Sequence, residues 1–412
     1  MIEAASPRPT AAVPVHAKSE IGEWIVNAAL SGHEEVDILA GICERLIGAG
    51  VSLMRASVAN NLLDPTFDAR GVRWLRSRGT VEEGFVRTDD ASAEEDWRRS
   101  PFFRLVEGRE TMLRRRLDAT YCRGEFPILD GLQDEGATDY VAFALRIGQS
   151  VRLGEAEGIL VSWTTDAPEG FTEAQIALLA GILPSLALAM ILRTTHRAAR
   201  TLITTYLGSD AAERVLAGNI VRGRAEPIWA VVWHSDLVGF TRIADTTSAA
   251  DVLALLNDYA EAQVEEIESQ GGHVLKFIGD GILAIFPGDD PASACKRALD
   301  AAAALRSRIK ALNLRRAGSG QPVTDTHVAL HLGELLYGNL GSARRLDFTV
   351  LGPAVNEAAR IEALCASLEQ SIIVSSAFAD ASGEARNRLV SLGRYAMKGV
   401  GRPQELFTLD LG

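Results

Sequence analysis

Lysine is nearly missing from this chain of 412 residues. Of its 42 basic residues only five are lysines (Lys18, Lys276, Lys296, Lys310 and Lys398), and the other 37 are arginines. Lysine is a compact rotatable charge and arginine a planar fork, so the two are not equivalent. The places where this chain uses lysine are therefore candidates for a point charge. Positive charge as a whole is in deficit, 42 basic residues against 54 acidic ones for a net charge of −12. Divided at residue 200, the first part carries 22 basic and 29 acidic residues and the second 20 and 25. Neither half is basic, which excludes a general nucleic-acid or anionic-membrane surface. Cysteine is scarce too: Cys43, Cys122, Cys295 and Cys365 show no CxxC spacing, which argues against a disulfide framework or a zinc site and fits a reducing cytoplasm. The opening MIEAASPRPTAAVPVHA lacks a basic stretch followed by an apolar core, so it is no secretory signal, and a flexible tail is expected over residues 1–19. A single run suggests a membrane span, residues 176–192, but Pro184 interrupts it and its length is at the bottom of the spanning range. Leu179, Leu183, Leu186 and Met190 in it repeat at 4-3-4 spacing, the seam of a packed helix and of a parallel dimer. No membrane span is expected.

What is present is ordinary for a folded protein, with 47% hydrophobic and 23% charged residues and a length that suits two to three domains. Residues 20–50 read as two helices, and Val51–Val58 as a strand. Residues 64–139 are charged and irregular, with clusters at Glu94–Asp96 and Arg114–Arg116 that read as solvated faces or loops. Strands follow at Tyr140–Arg146 and Gly158–Thr164, then the apolar helix. Cys122, Trp74, Trp97, Phe102 and Phe103 read as incidental or core residues. The order GILVSWTT, then EGFTEAQIALLAGILPSLALAM, resembles the last strand and terminal helix of a GAF domain over residues 20–192. That resemblance implies a helix-sandwiched sheet that senses an unidentified small ligand or serves in dimerisation. Residues 193–227 read as a helical connector placed to pass rotation or dimer geometry onward.

From Ile228 the patterns sharpen. IWAVVWHSD is a buried strand ending on a carboxylate, and Ser248–Gln270 is an amphipathic helix closed by Gly271-Gly272. HVLKFIGDGILAIF is two apolar runs about a Gly-Asp-Gly turn, a hairpin. A helix over Pro291–Leu314, the strand THVALHLGELLYGNLG, a helix over Gly352–Leu368 and strands near Ser371–Val374, Leu389–Met397 and Glu405–Leu409 complete an α+β, ferredoxin-like order with helices on one face of the sheet. Asp236 ends the first strand and Asp280 occupies the hairpin turn, so both carboxylates reach one edge of the sheet. Two aspartates without His or Cys are hard oxygen ligands that suit Mg2+ or Mn2+ and phosphate substrates. The glycine-bearing stretch after Asp236 leaves backbone N–H groups to meet phosphate oxygens.

The motifs SDLVGFT, FIGDGILAIF, HLGELLYGNLG, RLDFTVLGPAVNEAAR and MKGVGRP, in this order over residues 228–412, resemble the catalytic domain of class III nucleotidyl cyclases. The resemblance implies that Asp236 and Asp280, with the Leu237 carbonyl, bind two metal ions, and that Gly239, Phe240 and Thr241 meet the phosphates. It implies that Lys276 and Thr349 select adenine, where guanylate cyclases typically carry Glu and Cys. Asn356 would orient the ribose, Arg360 would stabilise the α-phosphoryl charge and Lys398 would hold the terminal phosphates. The spacing of four between Asn356 and Arg360 aims both from one helix face; taken alone, Arg360 could pair instead with Glu357 or Glu362, and Lys276 could be a solvated edge residue. Two positions depart from the family pattern: His327 stands where a phosphate-binding Arg is usual, and His234 where an aromatic residue is usual. Arg344 and Arg345 lie near enough in sequence to substitute for the former. In this family the metal acids and the Asn/Arg pair of one site come from different subunits, which implies a head-to-tail homodimer. The expectation is a cytoplasmic adenylate cyclase acting on ATP and regulated by the N-terminal domain. A guanylate cyclase and a catalytically weak nucleotide-binding regulator are the alternatives.

Overall fold

The computed structural model describes residues 14–61, 67–86, 91–148, 158–397 and 403–410, and the chain divides into two compact units, Met1–Leu202 and Ile203–Gly412. In the first unit α1 (Ala17–Leu30) and α2 (Glu35–Gly48) occupy the predicted helical stretch. They are followed by β1 (Arg55–Asn61), β2 (Phe67–Leu75), β3 (Gly79–Val86), α3 (Ala91–Arg98), α4 (Pro101–Glu107), β4 (Met112–Arg116), α5 (Pro127–Asp134), β5 (Asp139–Arg146), β6 (Gly158–Thr165) and α6 (Glu173–Leu207). The strands form an antiparallel sheet in the order β3-β2-β1-β6-β5-β4. Ile25, Ile38, Leu39 and Ile42 join Leu179, Ile182 and Leu186 over one face of it. Leu105, Phe126, Leu129 and Leu132 pack with Tyr140 and Ala142 on the other.

Several expectations change here. Ala17 is buried within α1, so helix begins inside the expected tail, of which residues 1–13 lie outside the described residues. The region 64–139 holds β2, β3, β4, α3, α4 and α5 rather than irregular chain. Charge concealed its periodicity: Val72 and Trp74 are buried on either side of Arg73, the alternation of a half-buried strand. The Arg114–Arg116 cluster is no solvated face. Arg114 donates to the fully buried Asp139 carboxylate at 2.8 Å, and Asp139 also accepts from the Phe171 N–H at 3.0 Å. This ion pair, with its hydrogen bond at the approach to α6, is satisfied on both sides, as burial requires. Leu179, Leu183, Leu186 and Met190 are buried within the unit's own core, so their seam is spent inside the protomer and is not a dimer seam. By length and composition α6 alone among the described helices passes for a membrane span, yet its most apolar stretch is 56% buried inside the protein.

The second unit begins with the end of α6 and α7 (Ser209–Leu216). It continues through β7 (Ala225–Leu237), α8 (Phe240–Thr246), α9 (Ala249–Ser269), β8 (His273–Ile278), β9 (Gly281–Pro287), α10 (Pro291–Gly318), β10 (Thr326–Ser342), β11 (Arg345–Leu351), α11 (Pro353–Glu362), β12 (Ile372–Ser375), α12 (Ser376–Ala381), β13 (Leu389–Tyr395) and β14 (Gln404–Leu409). The sheet order is β13-β14-β12-β10-β7-β9-β8, with β11 paired to β10. Helix starts follow their caps: the Ser248 hydroxyl accepts from the Asp251 N–H at 3.2 Å, and the Asp290 carboxylate from the Ala292 N–H at 3.1 Å.

Both faces of this sheet carry helices, not one. Val231 and Trp233 of β7 face α9 and α10, whereas Ala230 and Val232 face α7 and α11 through Ala211, Ala354 and Ala358. α7, expected as part of the connector, thus belongs to the second unit's own core. α11 lies close on β10 because Gly333 has no side chain: a Cβ there would stand 2.6 Å from the Ala354 Cβ. Overpacking of this kind costs about 1–3 kcal/mol. Gly333→Ala is expected to lower the urea midpoint of the C-terminal unit, and Ala354→Gly added to it should recover part of the loss; an unchanged midpoint in the single variant contradicts this packing.

Candidate functional site

β7 is hydrogen-bonded to β9 on one edge and to β10 on the other. Its alternation sends Val231, Trp233 and Ser235 to the α9 face, where the Ser235 hydroxyl donates to Gln263 at 2.6 Å. His234 and Asp236 therefore point to the α11 face. The β8–β9 turn brings Asp280 alongside: its carboxylate accepts from the Leu237 N–H at 3.2 Å. Gly281 permits the approach, since a Cβ there would stand 2.2 Å from the Ser235 carbonyl oxygen and 3.3 Å from the Asp236 Oδ1. Burial, then a hydrogen bond to Asp280 and its charge, push the Asp236 carboxyl up to about 7. A third acid stands near them. Glu362, at the end of α11, is held above the usual carboxylate range by burial and by the charge of Asp280.

His327 sits opposite Asp236 in the β7–β10 register, and its Nδ1 is 3.8 Å from Glu362 Oε1. Burial lowers its pKa, so it is neutral at pH 7. Two periods of alternation further along β10, His331 is buried, bonded to the Ser375 hydroxyl at 2.8 Å and 3.9 Å from Glu357 Oε1. The two glutamates that might have paired with Arg360 are thus turned toward histidines. Asn356 and Arg360 are exposed on the outer side of α11, opposite the buried Ala354, Ala358 and Ile361. Among the described residues neither has a side-chain hydrogen bond or ion pair. Asp236 and Asp280 are half-buried, whereas Asn356 and Arg360 are exposed.

Lys276 is no free edge residue. Its Nζ lies 2.6 Å from Asp347 Oδ2. Thr349, expected as its partner, is two residues further along β11, buried, with an Oγ1 that has no hydrogen-bond partner among the described residues. Gly239 turns the chain in a left-handed conformation (φ 65°) into α8, with Phe240 half-buried and Thr241 exposed. His234 is half-buried, with a buried Nδ1 that has no hydrogen-bond partner among the described residues. Arg344 and Arg345 lie at the β10–β11 turn, their backbone N–H groups bonded to the Ser342 hydroxyl. Lys398 lies outside the described residues. Sequence reasoning missed Asp347 and Glu362. The strand alternation that links residue 347 to 349, and the inward stripe Ala354, Ala358, Ile361, were the signals for them.

No cluster of three or more His, Cys, Asp or Glu suited to a metal exists among the described residues. Asp236 and Asp280 supply two hard oxygen donors instead, close enough to share a proton. A divalent cation relieves that repulsion and completes its shell from substrate phosphates, the usual mode for Mg2+. The pair fits such an ion. The unfolded chain releases the Asp236 proton near pH 4, at about 3.9, while the folded chain holds it to about 7. Between those values the folded state binds more protons, so its stability falls as pH rises through the window. Metal-free Asp236→Asn protein is expected to melt above wild type at pH 8, with the gap closing toward pH 4; equal melting temperatures at pH 8 contradict the raised carboxyl.

Residues 227–410 match the family model described as adenylate and guanylate cyclase catalytic domain. An uncharacterized protein of Mycobacterium tuberculosis (strain ATCC 25618 / H37Rv) is 32% identical over 210 residues, 50% of this chain and 37% of its own length. The adenylate cyclase of Anabaena cylindrica is 31% identical over 161 residues, 38% of this chain and 31% of its own. Adenylate cyclase 1 of Rhizobium meliloti is 24% identical over 317 residues, 72% of this chain and 47% of its own. The chain thus spans less than half the length of these curated relatives. The crystal structure of the adenylyl cyclase CyaB from P. aeruginosa aligns at 24% identity and a TM-score of 0.41, over 46% of this chain and all of that one. Residues 227–410 therefore constitute a catalytic domain of the adenylate and guanylate cyclase family.

Proposed function

We propose that this protein is an adenylate cyclase that converts ATP to 3′,5′-cyclic AMP and pyrophosphate in a homodimer. The observation that carries the reading is the presence of proton-sharing Asp236 and Asp280 together with an Asn356/Arg360 pair that faces outward without side-chain partners among the described residues. Two Mg2+ or Mn2+ ions at the aspartates would supply Lewis acidity for the ribose 3′-hydroxyl and charge neutralisation at the phosphates. The 3′-oxygen attacks the α-phosphorus, its proton passes to solvent, and the bond to the β-phosphate oxygen breaks. Lys276 donates to the adenine edge beside Thr349, and Asn356 from the second protomer holds the ribose. Arg360 from that protomer meets the charge that grows on the α-phosphoryl oxygens, an electrostatic role worth most when the donor is already in place. The backbone of Gly239–Thr241 and the Lys398 ammonium take the remaining phosphates.

The surface supports a second copy as partner. Trp229, Phe277, Leu336, Leu340 and Leu346 are exposed on β7, β8, β10 and β11, apolar side chains that a second copy would cover. The N-terminal unit is proposed as a GAF-like sensor of an unidentified small ligand that biases this dimer. Its antiparallel sheet with helices on both faces supports that assignment. Free Cys43, Cys122, Cys295 and Cys365 suit the cytoplasm, the compartment proposed. One observation favours a catalytically weak regulator instead: His327 is neutral and turned toward Glu362, and so offers phosphate no fixed charge.

Purified full chain with ATP and Mn2+ is expected to form cyclic AMP, and Asp236→Ala to abolish it. Tight ATP binding without product would establish the regulator, and faster turnover of GTP a guanylate cyclase. Mixing Asp236→Ala with Asn356→Ala protein is expected to restore about a quarter of the wild-type rate, since random reassortment places one complete site in half of the dimers. No recovery contradicts the shared site.

A further inference from the structure

We propose that Thr324 is a positioning residue for the metal edge of the site: its hydroxyl pins the backbone at Val238 and so aims the neighbouring peptide groups toward the aspartates. The inference rests on the reading of Leu237 as a carbonyl ligand and of Gly239 as a phosphate-binding amide. Val238 stands between them, past the end of β7 and before Gly239 turns the chain into α8. Both of its backbone groups are taken by the segment that leads into β10. Its N–H donates to the Asp325 carbonyl at 2.9 Å, and its carbonyl accepts from the Thr324 hydroxyl at 2.6 Å. The first bond adds a rung to the β7–β10 ladder. In a regular antiparallel rung the second would come from the N–H of residue 325, and here a side chain supplies it.

A trans peptide group sets its C=O and N–H on opposite sides. With the Val238 N–H turned to Asp325, the Leu237 carbonyl leaves on the side of β9. The Leu237 N–H already goes there, to the Asp280 carboxylate at 3.2 Å. With the Val238 carbonyl turned to Thr324, the Gly239 N–H is directed away from β10 in the same way. Two hydrogen bonds at one residue thus orient an acceptor for a cation and a donor for an anion. Thr324 can serve as the fixed point because its own backbone is anchored to two helices. Its N–H donates to the Tyr259 hydroxyl at 2.9 Å, and its carbonyl accepts from Asn313 Nδ2 at 2.7 Å. Tyr259 on α9 is fully buried and donates to Asn313 on α10. Arg316, buried on α10, donates to the Pro322 carbonyl at 2.9 Å. The core thereby reaches the metal edge through one hydroxyl. Removing a partner that orients a metal ligand typically weakens the metal by about 10–100-fold. Val238 is exposed, so water can replace the lost donor and the chain is expected to fold without it.

The test compares wild type, Thr324→Val, Thr324→Ser and Asp280→Ala as full chains. Valine keeps the shape and loses the donor, whereas serine keeps the donor. Mn2+ is titrated with a non-cyclisable ATP analogue present, and the free ion is read by electron paramagnetic resonance. Thr324→Val should bind Mn2+ about tenfold more weakly and Thr324→Ser within about twofold of wild type. The melting temperature of Thr324→Val should stay within about 4 °C of wild type. Excess Mn2+ should restore most of its cyclase rate. Amide exchange over residues 237–241, measured without metal or nucleotide, should be about five- to tenfold faster in Thr324→Val and unchanged in Thr324→Ser. Wild-type Mn2+ affinity in Thr324→Val, a rate that excess Mn2+ does not restore, or failure of that variant to fold overturns the proposal and leaves Thr324 a structural residue. Equal Mn2+ binding by Asp280→Ala and wild type overturns the metal edge itself, and the proposal with it.

Discussion

β7 is pinned on every side. It is hydrogen-bonded to β10 from Ala225 to Leu237 and to β9 from Ala230 to Ser235, and its alternate side chains enter two separate cores. A slip of one residue would exchange Trp233 for Val232 at the α9 face and turn Asp236 away from α11. The burial of both faces forbids it. From this fixed register follow the position of Asp236, the cross-strand placement of His327 and the reach of Asp280 from the neighbouring turn. Gly281 completes the arrangement, because only a residue without Cβ lets β9 begin against Ser235 and Asp236. The cost of this geometry is visible in the Asp236 carboxyl, which is held protonated toward neutral pH by its own neighbours. Sites that concentrate like charge in this way lose stability for the sake of a ligand that neutralises it.

α11 translates the same sheet into a surface directed elsewhere. Its inner stripe of small residues, Ala354 and Ala358, settles on β10 at Gly333, and Glu357 and Glu362 turn toward His331 and His327. These contacts, at 3.8 and 3.9 Å between groups whose histidines burial keeps neutral, are too long for hydrogen bonds. They orient the helix by packing rather than by charge. The helix period then leaves Asn356 and Arg360 outside. A buried Arg360 would need a carboxylate at once. An exposed one can wait for phosphate, and the neighbouring glutamates do not claim it.

Much of this was legible from residue order, where apolar periodicity and glycine punctuation agree. The strand ending on Asp236, the Gly-Asp-Gly hairpin and the helix opening at Ser248 all read directly. What stayed hidden depended on partners remote in sequence. The seam Leu179–Met190 is the same pattern whether it meets a second chain or α1 and α2, and only the tertiary core decides for the latter. Arg114–Arg116 resembles a solvated run until Asp139 is found beneath it. β11 was obscured because its residues were legible as motif and not as strand. Without the strand, the alternation that brings Asp347 to the side of Thr349 could not be seen, nor the ion pair of Lys276 with Asp347.

The rarity of lysine takes on a physical meaning at that point. Lys296 pairs with Asp300 one helical turn away, a local contact that arginine could make as well. Lys276 is different: its carboxylate lies 71 positions away in sequence, on β11. A tetrahedral ammonium can spend one donor on that carboxylate and keep two others free. In a chain that writes arginine for nearly all of its positive charge, the exception falls where a compact point charge meets a carboxylate remote in sequence.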